Sequence, residues 1–299
     1  MKMKLMLGCA IALSVVATAY AATFQEVYNK GMEEFRARKF EEAEATLAEA
    51  VKLAKTAVEI RDAFSNYLRS MYQQKKYKEI VDIAKSTFAD EESTGGQKLF
   101  AANYAIQSCK NLRRFPEMEE WADKLMELND PGSFWYNYGV ASKGKALRRQ
   151  NKPAEALELL TEDAVFIMHP QHQDKAILER AHSRRAVRQF SEAADDYIRS
   201  FELAGGAPWR KDIAVGYAIE CLTESDRMDE AAPWVARIDN VGSKFWRCFA
   251  HMRAAQLLQK QGKLAEAKAQ YEAAIKDNDY WWKNSSEQQI SAIDEQLSE

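Results

Sequence analysis

Lys39-Phe40-Glu41-Glu42-Ala43 is the first of seven related stretches that set the architecture. The others are Lys76-Tyr77-Lys78-Glu79-Ile80, Arg114-Phe115-Pro116-Glu117-Met118, Lys152-Pro153-Ala154-Glu155-Ala156, Gln189-Phe190-Ser191-Glu192-Ala193, Arg227-Met228-Asp229-Glu230-Ala231 and Lys263-Leu264-Ala265-Glu266-Ala267. The last residue of each, here called the anchor, recurs at intervals of 37, 38, 38, 37, 38 and 36 residues. A fixed period of this size is the signature of a repeat array, in which each unit buries its apolar face against its neighbours.

Each copy reads as helix, tight turn, helix. The basic residue is expected to end the first helix, opposite the negative end of its dipole, and the glutamate before the anchor falls in the first turn of the second. Pro116 and Pro153 sit at that helix start, where a missing N–H costs nothing. Twelve residues before the anchors stand Gly31, Leu68, Ile106, Gly144, Ala181, Ile219 and Ala255. Four after them stand Leu47, Ala84, Ala122, Leu160, Tyr197, Val235 and Tyr271. These slots are apolar or small throughout, as close helix packing requires.

The pattern resembles the tetratricopeptide repeat over about residues 24–278, best in Val27–Gly31 with Phe40 and Ala43, in Val140–Gly144 with Ala156, and in Leu264–Ala267 with Tyr271 and Ala274. The resemblance implies an all-α fold, a right-handed α-solenoid of about seven helix-turn-helix repeats with a C-terminal capping helix. The expected repeats are 24–55, 58–91, 97–129, 134–168, 173–204, 209–240 and 244–278, followed by a cap over 279–299. The family period is about 34, so the surplus residues lie between units, where an aromatic such as Trp135, Trp209 or Trp246 staples a longer first helix. Pro233, two residues past its anchor, points to a late start or a kink in the sixth second helix.

Residues 1–21 read as a secretory signal: Lys2 and Lys4, an apolar run from Leu5 to Val16, and Ala19-Tyr20-Ala21 as a cleavage site. Export is therefore expected, to the periplasm of a Gram-negative bacterium, with a signal-anchored or secreted protein as alternatives. No second stretch is long enough to span a bilayer. Removing the signal takes the net charge from −3 to −5, which argues against nucleic acid as a partner. Cys109, Cys221 and Cys248 remain, and their offsets within the repeat predict three separate buried thiols.

No catalytic, metal or cofactor site is expected. Gly139 to Lys145 matches most of a phosphate-binding loop, but Ala146 follows where Ser or Thr is needed and no strand precedes. His169-Pro170-Gln171-His172 has no cysteine or acidic cluster to complete a metal shell and reads as a solvated loop.

In the family that the repeat resembles, side chains about 15, 14, 11 and 8 residues before the anchor face the concave groove. That resemblance places Tyr28, Asn66, Arg69, Tyr72, Asn103, Lys110, Lys145, Arg148, His182 and Arg185 as partner-binding residues. Arg69, Lys110, Lys145, Arg148 and Arg185 would form a basic strip on an acidic chain, with Glu179 and Glu220 in the same set of slots. The clamp by which some members hold cytosolic chaperone tails is not expected, because Tyr28, Met32, Phe100 and Tyr104 occupy most of its places. The expected function is a non-catalytic scaffold of the cell envelope that binds extended, acidic segments of protein or peptide partners. The alternative is a cell-wall or carbohydrate-binding module, with tryptophans such as Trp281 and Trp282 stacking on sugars.

Overall fold

The computed structural model describes residues 23–203, 207–277 and 282–298. The expected signal lies outside the described residues, as do Gly205-Gly206 and Tyr280-Trp281. Seven helix pairs follow one another: α1 (Phe24–Arg36) and α2 (Phe40–Leu53), α3 (Ala57–Gln73) and α4 (Tyr77–Ala89), α5 (Gly95–Leu112) and α6 (Phe115–Glu127). The fourth pair is α7 (Phe134–Arg149) with α8 (Pro153–Leu159) and α9 (Glu162–Phe166). Then come α10 (Pro170–Ala186) and α11 (Phe190–Leu203), α12 (Pro208–Glu224) and α13 (Met228–Val235), α14 (Lys244–Lys260) and α15 (Leu264–Asp277). A last helix, α16 (Lys283–Ser298), follows. No strand occurs among the described residues, and each second helix packs on the first helix of the next unit. The chain is an all-α solenoid.

The turn inside each hairpin is built the same way seven times. Five residues before every anchor, the backbone is left-handed: Arg38, Lys75, Arg113, Asn151, Arg188, Asp226 and Gly262. The next residue donates its N–H to the carbonyl five positions back, as in Lys39 to Glu34, Lys76 to Met71 and Lys263 to Leu258. This closes the first helix and consumes its last carbonyls. Only one unit uses glycine there; elsewhere the turn overrides the ~1–2 kcal/mol that a side chain costs in this conformation. The reversal also corrects the expected place of the basic residue. Lys39, Lys76, Arg114, Lys152 and Arg227 lie past the first helix, just before the second. Two of these charges reach acids of a neighbouring helix instead: Lys76 to Glu44 at 2.7 Å, and Arg227 to Asp195 at 2.8 Å, with Glu230 also at 2.7 Å.

All seven anchors are buried, as are all seven residues twelve before them. The slots before and after the anchor are matched in size: Gly31 with Leu47, Leu68 with Ala84, Ile106 with Ala122, Gly144 with Leu160, Ala181 with Tyr197 and Ala255 with Tyr271. A Cβ on Gly31 would come within 2.8 Å of Leu47, and one on Gly144 within 2.6 Å of Leu160. The sixth unit breaks the rule with Ile219 and Val235, and there Val235 is only half-buried. Its helix α13 starts on time rather than late, contains Pro233, and gives way to a short 3-10 turn at Ile238–Asn240.

The fourth second helix is interrupted as well, which the repeat pattern does not foresee. Continuing it would bring Asp163 to a slot that is normally small and buried. Instead the chain breaks after Leu159, Thr161 caps α9 by accepting from the Ala164 N–H, and Asp163 is exposed while Val165 is buried. Glu162 then meets Arg180 at 2.6 Å. Arg180 is 1% exposed and also forks onto Asp196 at 2.6 and 2.9 Å, so a buried charge gains the partners it requires.

From α3 onward the first helices run to 16–18 residues, against 13 or 14 for the unbroken second helices. Trp135 braces this extension against Phe100 at 5.7 Å, and Trp246 packs on Tyr217 and Phe249. Trp209 does not: it is 52% exposed. At the far end Ile293 of α16 is buried with Tyr271 and Ala267, and Trp282 packs on Cys248, Met252 and Ala274. Cys109, Cys221 and Cys248 are buried on three different helices. Among the described residues no helix is long and apolar enough to cross a membrane.

Candidate functional site

The ten residues expected on the groove divide into three groups along the first helices. At the N-terminal end, Asn66 donates to the Tyr28 hydroxyl at 3.0 Å, and Tyr28 stacks on Phe24. The Asn66 amide also donates to the Asp62 carbonyl, so both its N–H groups are committed within the protein. Arg69 lies over the Phe35 ring at 4.7 Å. Tyr72 accepts from Asn111 at 2.8 Å and faces Tyr104 at 6.0 Å between ring centres. Desolvation holds the Tyr104 phenol at about 12, so it stays neutral.

Toward the C-terminal end the expected basic strip is tied up in ion pairs within the protein. Glu179 receives Lys145 at 3.1 Å and Arg148 at 2.7 and 2.9 Å. Burial raises its carboxyl, but Arg148 and Lys145 outweigh that and hold it at about 2. Glu220 likewise bridges Arg185 at 3.0 Å and Arg253 at 3.2 Å. Arg185 lies over Tyr217 and Arg253 over Phe249, each at 4.7 Å. His182 shares a 2.6 Å hydrogen bond with Tyr197, and burial first, with the nearby arginines, depresses its pKa to about 3. Four of the expected binding cations or polar groups are thus tied to carboxylates or to a phenol of the same chain.

Between these ends lies a cavity of about 410 Å³, where α5 meets α7 only sparsely, as α10 does α12. It brings together three of the expected residues, Asn103, Lys110 and Lys145, with Gln107 and Ser142. Its walls are aromatic: Phe134, Trp135, Tyr138 and the exposed Trp209. Lys175 and Arg210, which sequence reasoning missed, complete it, and Arg210 is paired with Asp174. Lys110 and Lys175 form no ion pair with a carboxylate among the described residues. Desolvation, then Lys145, pushes the Lys110 ammonium below its ordinary value; desolvation, then Arg210 and Lys110, does the same to Lys175.

His172 corrects the expected solvated loop. Pro170 opens α10, and the His172 ring is 2% exposed against Phe134 at 4.3 Å and Tyr138 at 5.5 Å. Burial holds it at about 4, hence neutral at neutral pH. No group of three His, Cys, Asp or Glu with metal-binding geometry occurs among the described residues. Gly139 and Gly144 of the phosphate-loop look-alike lie inside α7, where Gly139 gives room to Met126 as Gly144 does to Leu160.

No protein-family model matches the sequence, and no curated protein matches it. Solved structures do. A tetratricopeptide repeat protein from Parabacteroides merdae aligns with a TM-score of 0.56 and 10% identity, over 90% of this chain and 98% of that one. The fold is that of a tetratricopeptide-like solenoid. PilF of Pseudomonas aeruginosa aligns with a TM-score of 0.53 and 15% identity, over 73% of this chain and 91% of its own. RapI in its apo form aligns with a TM-score of 0.52 and 14% identity, over 85% and 97%. At such identities the likeness is one of fold.

Within the tetratricopeptide frame, the missed residues had a legible signal only in part. His172, Lys175 and Arg210 lie on the N-terminal extensions of α10 and α12, outside the slots that a 34-residue unit supplies. The glycan alternative gains no support: of the described tryptophans only Trp209 is exposed, Trp282 is packed against the last hairpin, and Trp281 lies outside the described residues.

Proposed function

We propose that this protein is an exported, non-catalytic scaffold of the cell envelope, periplasmic in a Gram-negative bacterium, that holds an extended segment of a partner protein along its inner face. The basic start, apolar run and Ala19-Tyr20-Ala21 support export. The tetratricopeptide-type fold supports a protein partner, since such arrays present long concave surfaces. One observation carries the choice of site: the mid-array cavity, whose Lys110 and Lys175 lack a carboxylate partner among the described residues. An acidic residue of the segment would fill that need. Two strongly shifted titratable groups of the inner face, Glu179 and His182, are locked to Arg148 and Tyr197, which favours binding over catalysis.

Photo-crosslinking in the native envelope tests this reading. A crosslinker at Tyr72, on the inner face, should capture a discrete partner, and one at Lys78 on α4 should not. Combining Lys110→Glu with Lys175→Glu should cut the Tyr72 yield about tenfold, and added salt should weaken capture. Reversing Lys145, Arg148 or Arg185 is a poorer test, because Glu179 and Glu220 would be stranded. Equal capture from both faces, or a yield indifferent to the double reversal, sinks the proposal.

A further inference from the structure

We propose that the mid-array cavity is a specificity site that takes one aromatic side chain together with an adjacent carboxylate of the bound segment. This rests on the reading of the inner face as a segment-binding groove and names the residue pair it selects.

Charge complementarity directs the acidic requirement to the cavity. A run of acids would need a strip of free cations, but Glu179 already bridges Lys145 and Arg148, and Glu220 bridges Arg185 and Arg253, so each of those cations has a carboxylate partner within the protein. Among the described residues of the strip, Arg69 lies over Phe35 outside the cavity, whereas Lys110 and Lys175 stand together on the cavity wall with no ion-paired carboxylate. Their charges repel one another, and an incoming carboxylate relieves that repulsion.

The aromatic requirement follows from the walls. Trp135 is held edge-on by Phe100 at 5.7 Å and by Phe134 at 5.0 Å, so its orientation is set before anything binds. Tyr138 stands edge-on behind it at 6.1 Å. Trp209 leaves half its surface to solvent at the cavity from α12, with Arg210 5.0 Å from its ring centre. Rigid aromatic walls favour a ring in offset or edge contact. About 410 Å³ lies at the lower end of the ~300–1,000 Å³ usual for ligand pockets, enough for one bulky side chain and its flanking backbone.

The wall also holds an unmet donor. Lys175 approaches His172 Nδ1 at 3.4 Å, and an ammonium has no acceptor capacity, so Nδ1 accepts. The neutral ring then carries its proton on Nε2, which has no hydrogen-bond partner among the described residues. A buried donor left without an acceptor is uncommon, and this one belongs to a residue of the cavity wall beside Lys175.

Fluorescence anisotropy with labelled, end-capped ten-residue peptides tests the proposal on the full mature chain. A Gly/Ser peptide with Trp-Glu at its centre should bind about tenfold more tightly than either its Ala-Glu or its Trp-Gln counterpart. Lys110→Ala with Lys175→Ala should erase the preference for Glu over Gln. Trp209→Ala should reduce the preference for Trp over Ala, and because Trp209 is exposed this variant keeps its fold where Trp135→Ala risks losing it. Equal binding of the Trp-Glu and Ala-Glu peptides overturns the proposal. So does free indole-3-acetate binding as tightly as the Trp-Glu peptide, which would make this a small-molecule site. Crosslinking from Tyr72, outside the cavity, separates the two failures: its loss removes the groove reading, whereas a missing Trp-Glu preference removes only this inference.

Discussion

Glu179 shows how one side chain changes the meaning of its neighbours. Read along the chain, Lys145 and Arg148 are two members of a basic strip; in space they are the two halves of a carboxylate's coordination. The slot that holds Glu179 was legible in the repeat, but which cations its oxygens would reach was not, because that depends on how far α10 is displaced along α7. The pair has a pH signature. The folded Glu179 carboxyl titrates at about 2, below its ordinary value of 4.5, so the unfolded chain binds the proton more readily. Its contribution is therefore complete above about 4.5 and is lost as pH falls toward 2, on the order of 3 kcal/mol. His172 and His182, held at about 4 and 3, act in the same direction, beginning near their ordinary value of 6.5. Glu179→Gln should thus lower stability at pH 7 while leaving a shallower decline between pH 5 and 3. Urea unfolding of both proteins across that range checks it, and parallel pH curves would refute the assignment.

At the scale of the helices, the hairpin is specified by a trade of volume between two slots sixteen residues apart. Where the first helix offers glycine, the second supplies leucine; where it offers leucine or isoleucine, the second supplies alanine. Gly144→Leu should therefore cost about 1–3 kcal/mol through overpacking against Leu160. Leu160→Ala in the same chain should restore most of that loss, since it recreates the Leu68 and Ala84 arrangement of the second hairpin. Denaturant unfolding of the two single variants and the double should show a favourable coupling of at least about 1 kcal/mol. Simple additivity would mean that the two slots do not meet as described. The same rule explains why α13 is cut short, since Ile219 and Val235 are both large and Pro233 withholds an N–H. The interruption after α8 has a local cause as well: Thr161 followed by Glu162 and Asp163 starts a new helix within the fourth unit.

Over the whole molecule, contacts run within units or between successive ones. Stability in such an array is a sum of local terms, so damage at one end should stay there. Ile293→Glu, in the terminal helix, would place a charge in a fully buried site against Tyr271 and Ala267. Amide exchange should then accelerate in α14 to α16 and remain unchanged in α1 to α6. Uniform acceleration along the chain would show a single cooperative core instead. The cavity also belongs to this scale. It exists because α5 and α7, and α10 and α12, meet only sparsely, while the bulky Trp135 and Tyr138 stand at the gap.

The amino-acid sequence alone determined the repeat, its seven hairpin turns, the buried anchors and the helical class, because each of these depends on spacing within one unit. The resemblance to the tetratricopeptide repeat, rather than the spacing itself, assigned Asn103, Lys110 and Lys145 to the groove, and all three line the cavity. Only the tertiary structure decided which charges survive on that face, and that His172, Lys175 and Arg210 join it. Ion pairing between units depends on distances of a few ångströms across helices more than thirty residues apart, and periodicity carries no record of them.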